Sequence, residues 1–188
     1  MSSDKRQMIE KMIAESQSKR EEHSKKRVVI DDESLLMHYQ NFHQGSPERE
    51  IEAEKDLMGE WRYWRERAMN FLVRREHSDL ELRQKLRQRS VPEWLLDLLI
   101  TWLEDQGYLS LERFAYSYAK NRADLGYGPI RVRYELSAEH QIPNRFINEA
   151  FREIDWEKAK KVAARKIRHT DPFKYRAALY RRGFSSAD

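Results

Sequence analysis

Cysteine is absent from this sequence, which removes disulfides, thiolate metal sites and thiol nucleophiles together. Glycine and proline are scarce, six and five in 188 residues, a balance that disfavours turn-rich sandwiches and barrels. No apolar run nears the ~18 residues of a membrane span. The opening "MSSDKRQMIEKMIAESQSKREEH" also lacks the apolar core of a signal peptide. A soluble, cytoplasmic protein with no membrane partner is the expectation. Catalytic signatures are missing too: no H-E-x-x-H, no G-x-S-x-G and no phosphate loop. The six histidines (23, 38, 43, 77, 140, 169) are scattered without metal-ligand spacing. Neither metal, cofactor nor enzymatic activity is expected.

Charge is what the sequence has in quantity. Charged residues make up 36% of the chain and hydrophobic ones 39%, with a net charge of +4. Residues 1–60 hold 10 Lys/Arg against 14 Asp/Glu, whereas residues 61–188 hold 26 against 18. A mildly acidic leader thus precedes a basic body, whose surplus is modest for a nucleic-acid binder.

Three segments align without gaps: "SDLELRQKL" (78–86), "GPIRVRYEL" (128–136) and "DPFKYRAAL" (171–179). Each opens on a residue suited to capping a helix, Ser78, Gly128 or Asp171. Pro129 and Pro172 follow at the first helical position, where a missing N–H costs nothing. Ser78 and Glu81 have the spacing of a capping box. Leu82, Val132 and Tyr175 then match, followed by Arg83, Arg133 and Arg176, and Leu86, Leu136 and Leu179. A hydrophobe (Val91, Ile142, Phe184) comes next, before a new helix. An apolar stripe at helical spacing precedes each cap, as in Leu111, Phe114, Ala115, Tyr118 and Ala119. The expectation is all-α: three tandem three-helix repeats over 60–109, 110–154 and 155–188, behind a helical or mobile extension at 1–59. The third repeat is short, so either the chain is a shortened form or Leu179 and Phe184 expose an apolar edge.

In the extension, "RQMIEKMIA" offers Met8, Ile9, Met12 and Ile13 as one or two amphipathic turns. Ser46-Pro47 starts a helix that either runs into the first repeat or breaks at Gly59, which costs it about 1 kcal/mol.

"RREHSDLELRQKL", "GYLSLERFA", "RADLGYGPIRVRYEL" and "ALYRRGF" resemble the RecX family of bacterial recombination regulators, over about 68–184. That resemblance implies an elongated right-handed array of three helical repeats. It also implies a non-enzymatic, monomeric role: binding the RecA filament and inhibiting its growth, strand exchange and coupled ATP hydrolysis. Single- or double-stranded DNA is a further candidate partner. The alternatives are a DNA-binding helical protein built from helix-turn-helix-like units and a purely structural adaptor.

Several residues are candidates for partner contact. Arg131 sits in a first helical turn, where the helix dipole repels cations, although Glu135 one turn on can offset it. With Lys120 and Arg122 it makes a candidate basic patch, and Arg74, Arg75, Arg87 and Arg89 make a second. Arg83, Arg133 and Arg176 recur between apolar arcs and read as half-buried scaffold arginines tied to their own unit. His77 precedes the Ser78 cap, where a positive charge at a helix end is favourable. Trp64, Trp102 and Trp156 fall on apolar faces and read as core. Trp61 and Trp94 are open to either packing or base stacking.

Overall fold

The computed structural model describes residues 29–44 and 56–185. Among them are nine α-helices and no strand, so the fold is all-α. The expected turns at 8–13 and the helix start at Ser46-Pro47 lie outside the described residues.

The extension holds a helix that its polar composition hides, α1 (Asp32–Phe42). A reciprocal cap starts it: the Asp31 carboxylate accepts the Ser34 N–H at 2.9 Å, and the Ser34 hydroxyl accepts the Asp31 N–H at 3.1 Å. Leu35 and Tyr39, one turn apart, are its buried residues. Helix α2 (Leu57–Leu72) is capped by Asp56, whose carboxylate accepts the Gly59 N–H at 2.7 Å. It runs through Gly59 without a break.

Seven helices follow: α3 (Asp79–Arg87), α4 (Glu93–Asp105), α5 (Leu111–Asp124), α6 (Pro129–Tyr134), α7 (Asn144–Arg152), α8 (Trp156–Lys166) and α9 (Pro172–Arg181). A π-helical turn, Glu135–Glu139, extends α6. Ser78 and Asp171 cap as their side chains suggest, accepting the N–H groups of Glu81 and Lys174. The Ser78 capping box is only half made, because the Glu81 carboxylate pairs with Arg75 instead of reaching back.

One turn closes α3, the π segment and α9. A left-handed residue (Ser90, Gln141, Gly183) comes first. A buried hydrophobe follows, whose N–H bonds the carbonyl of the last aligned leucine: Val91 to Leu86 at 3.2 Å, Ile142 to Leu136 at 2.9 Å, Phe184 to Leu179 at 3.2 Å. The first and third are the 6→1 bond of the helix-ending motif that a left-handed residue permits, and the bond after the π turn is one residue longer. The hydrophobe then packs inward, and after Val91 and Ile142 the chain enters its next helix.

The interior falls into three clusters. The first joins α1 to α2, α3 and α4, and includes Leu35, Leu82, Leu86, Leu95, Leu99 and Leu103. Trp61 and Trp94, 2% and 3% exposed, belong to it, which excludes base stacking for both. Trp102 is only partly buried, its ring edge-on to Trp61 at 5.4 Å. The second cluster, around Phe114, Val132, Leu136 and Ile147, joins α5 to α7.

The third is small: Ala123, Ala159, Ala163 and Phe184. Its alanines let α5 and α8 approach closely. Phe184 is 2% exposed and Leu179 packs against it, so the apolar edge expected there is covered by the protein itself.

The turn after α9 is fastened to the start of α6 through backbone. Gly128 carries no capping side chain. Its own N–H donates to the Arg182 carbonyl at 2.7 Å, and the Ile130 N–H donates to the Gly183 carbonyl at 3.1 Å. The turn after α9 thereby satisfies N–H groups that a helix start leaves without intrahelical partners. A Cβ on Gly128 would lie 2.3 Å from the Gly183 oxygen. Gly128 is therefore a glycine for want of space, a reason different from the capping preference that its sequence position suggests.

Candidate functional site

The arginines of the middle patch converge on one buried carboxylate. The π turn rotates Glu135 inward, leaving it 3% exposed. Arg122 grips it through Nε and Nη2, one to each oxygen, and the Arg131 Nε donates at 2.9 Å. The Tyr118 hydroxyl donates to the second oxygen at 3.2 Å. Burial alone would raise the Glu135 pKa, but the hydrogen bonds from Arg122 and Arg131 prevail and hold it below the carboxylate range. Burial first, and the Glu135 charge second, push Tyr118 up to about 12. Both guanidiniums also lie over the Tyr127 ring, at 4.4 and 4.5 Å, and Arg182 approaches it at 5.7 Å. Arg122 and Arg131 are thus internal struts as much as surface cations. Lys120 lies apart from them, with its ammonium 5.8 Å from the Tyr116 ring in the groove between α5 and α8.

The second candidate patch, Arg74, Arg75, Arg87 and Arg89, divides as well. Arg75 pairs with Glu81, and Arg87 with Glu93. Arg74 and Arg89 instead line a groove of about 470 Å³ with Tyr63, Arg67 and Phe71. Arg89 and Lys85 both lie over the Phe71 ring, at 4.6 and 5.2 Å. Arg67, Arg74 and Arg89 make no ion pair among the described residues.

Arg83, Arg133 and Arg176 find local partners in three different ways. Arg83 bridges Asp79 and Asp97. Arg133 donates to the Asn148 side chain at 2.8 Å and lies over Phe151 at 4.7 Å. Arg176 reaches only the Pro172 carbonyl, at 3.4 Å. Arg83 is half-buried as expected, whereas Arg133 and Arg176 are exposed.

The first and second clusters meet through polar groups. Arg113 pairs with Glu76 at 2.7 Å, and the Ser78 hydroxyl faces His140 Nδ1 at 3.4 Å. His140 stacks edge-on against Phe114 and Tyr118. His77 beside it is 2% exposed, its Nδ1 2.9 Å from the Arg75 carbonyl. Burial lowers the pKa of both histidines, outweighing Glu81 and Glu139 near His140 and the Arg75 carbonyl at His77. His77 is therefore neutral at physiological pH, and the helix-end cation expected of it is absent.

A group bound as its neutral form in the fold, with a pKa below its unfolded value, stabilises fully above that unfolded value. Its contribution is lost as pH falls below 6.5, where the unfolded histidines take up protons first. The midpoint of urea unfolding is expected to fall across that window, and His77→Gln with His140→Gln is expected to flatten the fall. An unchanged slope in the double variant would assign the acid sensitivity to carboxylates.

A third basic surface was not visible in the half-chain totals. Between residues 156 and 185 there are ten Lys/Arg against two Asp/Glu, whereas residues 61–155 hold 16 against 15. The basic surplus thus resides in α8, α9 and their connection. There a groove of about 490 Å³ is lined by Tyr127, Arg131, Lys166, Arg168, Arg181 and Arg182, with no carboxylate on its wall. A charge count in a 30-residue window is the signal that finds it. Among the described residues no cluster of His, Asp and Glu could hold a metal, and no helix is long and apolar enough to cross a membrane.

Comparison with known proteins adds an independent line. Residues 65–102 match the family model described as RecX, first three-helix domain. A regulatory protein RecX of Pseudomonas putida is 37% identical over 124 residues, covering 64% of this chain and 87% of its own. Its counterpart in Pseudomonas savastanoi pv. phaseolicola is 43% identical over 95 residues, covering 50% of this chain and 61% of its own. One in Pseudomonas fluorescens is 41% identical, also over 61% of its length. The chain thus spans about six tenths of the length of the latter two relatives.

Proposed function

Because this chain belongs to the RecX family, we propose that it is a cytoplasmic, non-enzymatic regulator that binds RecA filaments and restrains their growth and coupled ATPase. The observation that carries the reading is the match to a regulatory protein RecX over 87% of that relative's length. The proposed units are the helical trios of 60–109 and 110–154 and the shorter 155–188, behind the extension 1–59. Three units in series, each joined to the next, offer a surface long enough to touch more than one subunit of a filament.

The residues assigned to the contact are those whose charge is free to act outside the protein. Arg74 and Arg89 in the first groove qualify, and so does exposed Lys120. Arg122 and Arg131 do not serve as a clean test, since reversing either would unbalance buried Glu135.

RecA's DNA-dependent ATPase, titrated with the full chain, is the deciding measurement. Inhibition is expected at concentrations well below those at which the protein shifts DNA without RecA. Arg74→Glu with Arg89→Glu is expected to weaken inhibition with helical content unchanged. Equal potency in both assays would move the reading to a DNA-binding helical protein. Absence of inhibition would end the filament reading.

A further inference from the structure

We propose that the outer face of α9, with the groove beside it, binds single-stranded nucleic acid. Phe173 and Tyr180 are 75% and 72% exposed, among the most exposed large hydrophobic residues described. They stand seven residues apart on one helix. At about 100° and 1.5 Å per residue they project within roughly 20° of each other, about 10 Å apart. That span is about three base steps at 3.4 Å each. On the same projection Lys174 and Arg181 flank one side of the aromatic line and Arg176 the other. Ala177, between the rings, keeps the face open.

Packing does not call for these rings. Leu80 and Ile130 occupy the position of Phe173 in the two aligned segments, and they too are exposed, at 39% and 54%. The fold leaves that position outside each time, and α9 fills it with an aromatic residue. Tyr180 aligns with Arg87, an exposed surface cation in the first segment. The two rings are therefore available for a ligand.

Charge decides which ligand. The only carboxylates between residues 156 and 185 are Glu157 and Asp171, and Asp171 is occupied in capping α9. Arg168 and Arg181 line the groove and make no ion pair among the described residues. Lys166 and Arg182 beside them donate to the carbonyls of Leu125 and Gly126, which anchors the groove wall to the end of α5. A row of cations that tracks a backbone, beside aromatic faces that accept any base, is the arrangement by which proteins hold single strands without reading sequence. A duplex hides its base faces and would use the cations alone. An acidic polypeptide would have no use for two exposed rings. The inference concerns the protein without RecA and does not rest on the regulatory reading.

The test is binding of the full chain to a fluorescent thymidine homo-oligonucleotide, to a duplex of equal length, and to polyglutamate as competitor, over a salt series. Phe173→Ala with Tyr180→Ala is expected to lower single-strand affinity by about tenfold or more, since stacking accounts for a large factor per base. Its salt slope should be unchanged. Arg168→Glu with Arg181→Glu is expected to reduce the slope by about 1.4, two phosphates at about 0.7 each. All four side chains are exposed, so helical content serves as the control for folding. Single-strand affinity unmoved by either pair would overturn the proposal. So would duplex affinity equal to that of the single strand, or displacement by polyglutamate at matched charge. Phe173→Ala with Tyr180→Ala separates the two readings, since it should lower single-strand affinity while leaving ATPase inhibition unchanged, and a failed ATPase test leaves this proposal standing.

Discussion

Gly128→Ala is expected to release α8 and α9 from the rest of the protein. A Cβ there would stand 2.3 Å from the Gly183 oxygen, 2.5 Å from its carbon and 2.8 Å from the Phe184 nitrogen. All three are backbone atoms, so no side chain can swing aside to make room. Relief requires the turn after α9 to retreat, which breaks both the Gly128–Arg182 and Ile130–Gly183 hydrogen bonds and withdraws Phe184 from the third cluster. Overpacking costs about 1–3 kcal/mol, and the N–H of buried Gly128 left without a partner costs about 1–3 more. A loss of about 4 kcal/mol is expected, localised to the last two helices. Limited trypsin digestion reads it directly, because the ten Lys/Arg of residues 156–185 become accessible while the first cluster stays protected.

Gly183→Ala attacks the same seam from the other side. Its φ of +91° is costly for a residue with a side chain, and its Cβ would meet Arg131 Cβ and N at 2.5 Å. If the two glycines serve one contact, the double variant costs less than the sum of the singles. Full additivity, or digestion that spreads equally into α2–α4, would show that the seam is not the fastening.

The seam also shows where sequence reasoning stops. Helix positions, the N-caps at Ser78 and Asp171, and the hydrophobes Val91, Ile142 and Phe184 follow from local periodicity and turn chemistry, because their causes lie within a few residues. Gly128 aligns with those caps, yet its cause is Gly183, 55 residues away. A one-dimensional pattern carries no record of which backbone approaches it. The same limit hid Glu135. As the i+4 neighbour of Arg131 it reads as a solvated pair, but the π turn carries it inside, where Arg122 on another helix completes its shell. Helix α1 was hidden differently, since one buried leucine and one tyrosine in a polar stretch make too weak a stripe to stand out. The basic stretch 156–185 was legible all along; totals over 128 residues averaged it away.

Glu135→Ala is expected to lower stability by about 3 kcal/mol, the cost of removing one member of a buried ion pair and leaving the other. Arg122, 23% exposed, supplies most of that loss. Arg131, 43% exposed, is better hydrated and supplies little. Glu135→Gln keeps the shape and one acceptor, so it should cost less. Its signature lies in pH. The native carboxylate has a lowered pKa, so it stabilises fully above its ordinary value of 4.5 and loses that contribution as pH falls below it. The acid limb of the unfolding curve should therefore flatten in Glu135→Gln.

A second readout is the phenol. Removing the Glu135 charge should bring the titration of Tyr118 down from about 12 toward 10, short of its ordinary value because burial persists. The third consequence runs opposite to stability. Arg131 lines the groove beside α9, and deleting the one carboxylate that neutralises it adds a positive charge to that wall. Glu135→Gln should therefore bind polyanions with a steeper salt dependence than the parent protein while unfolding more easily. A variant less stable and also less attracted to polyanions would place the effect of Glu135 in the shape of the groove rather than in its charge.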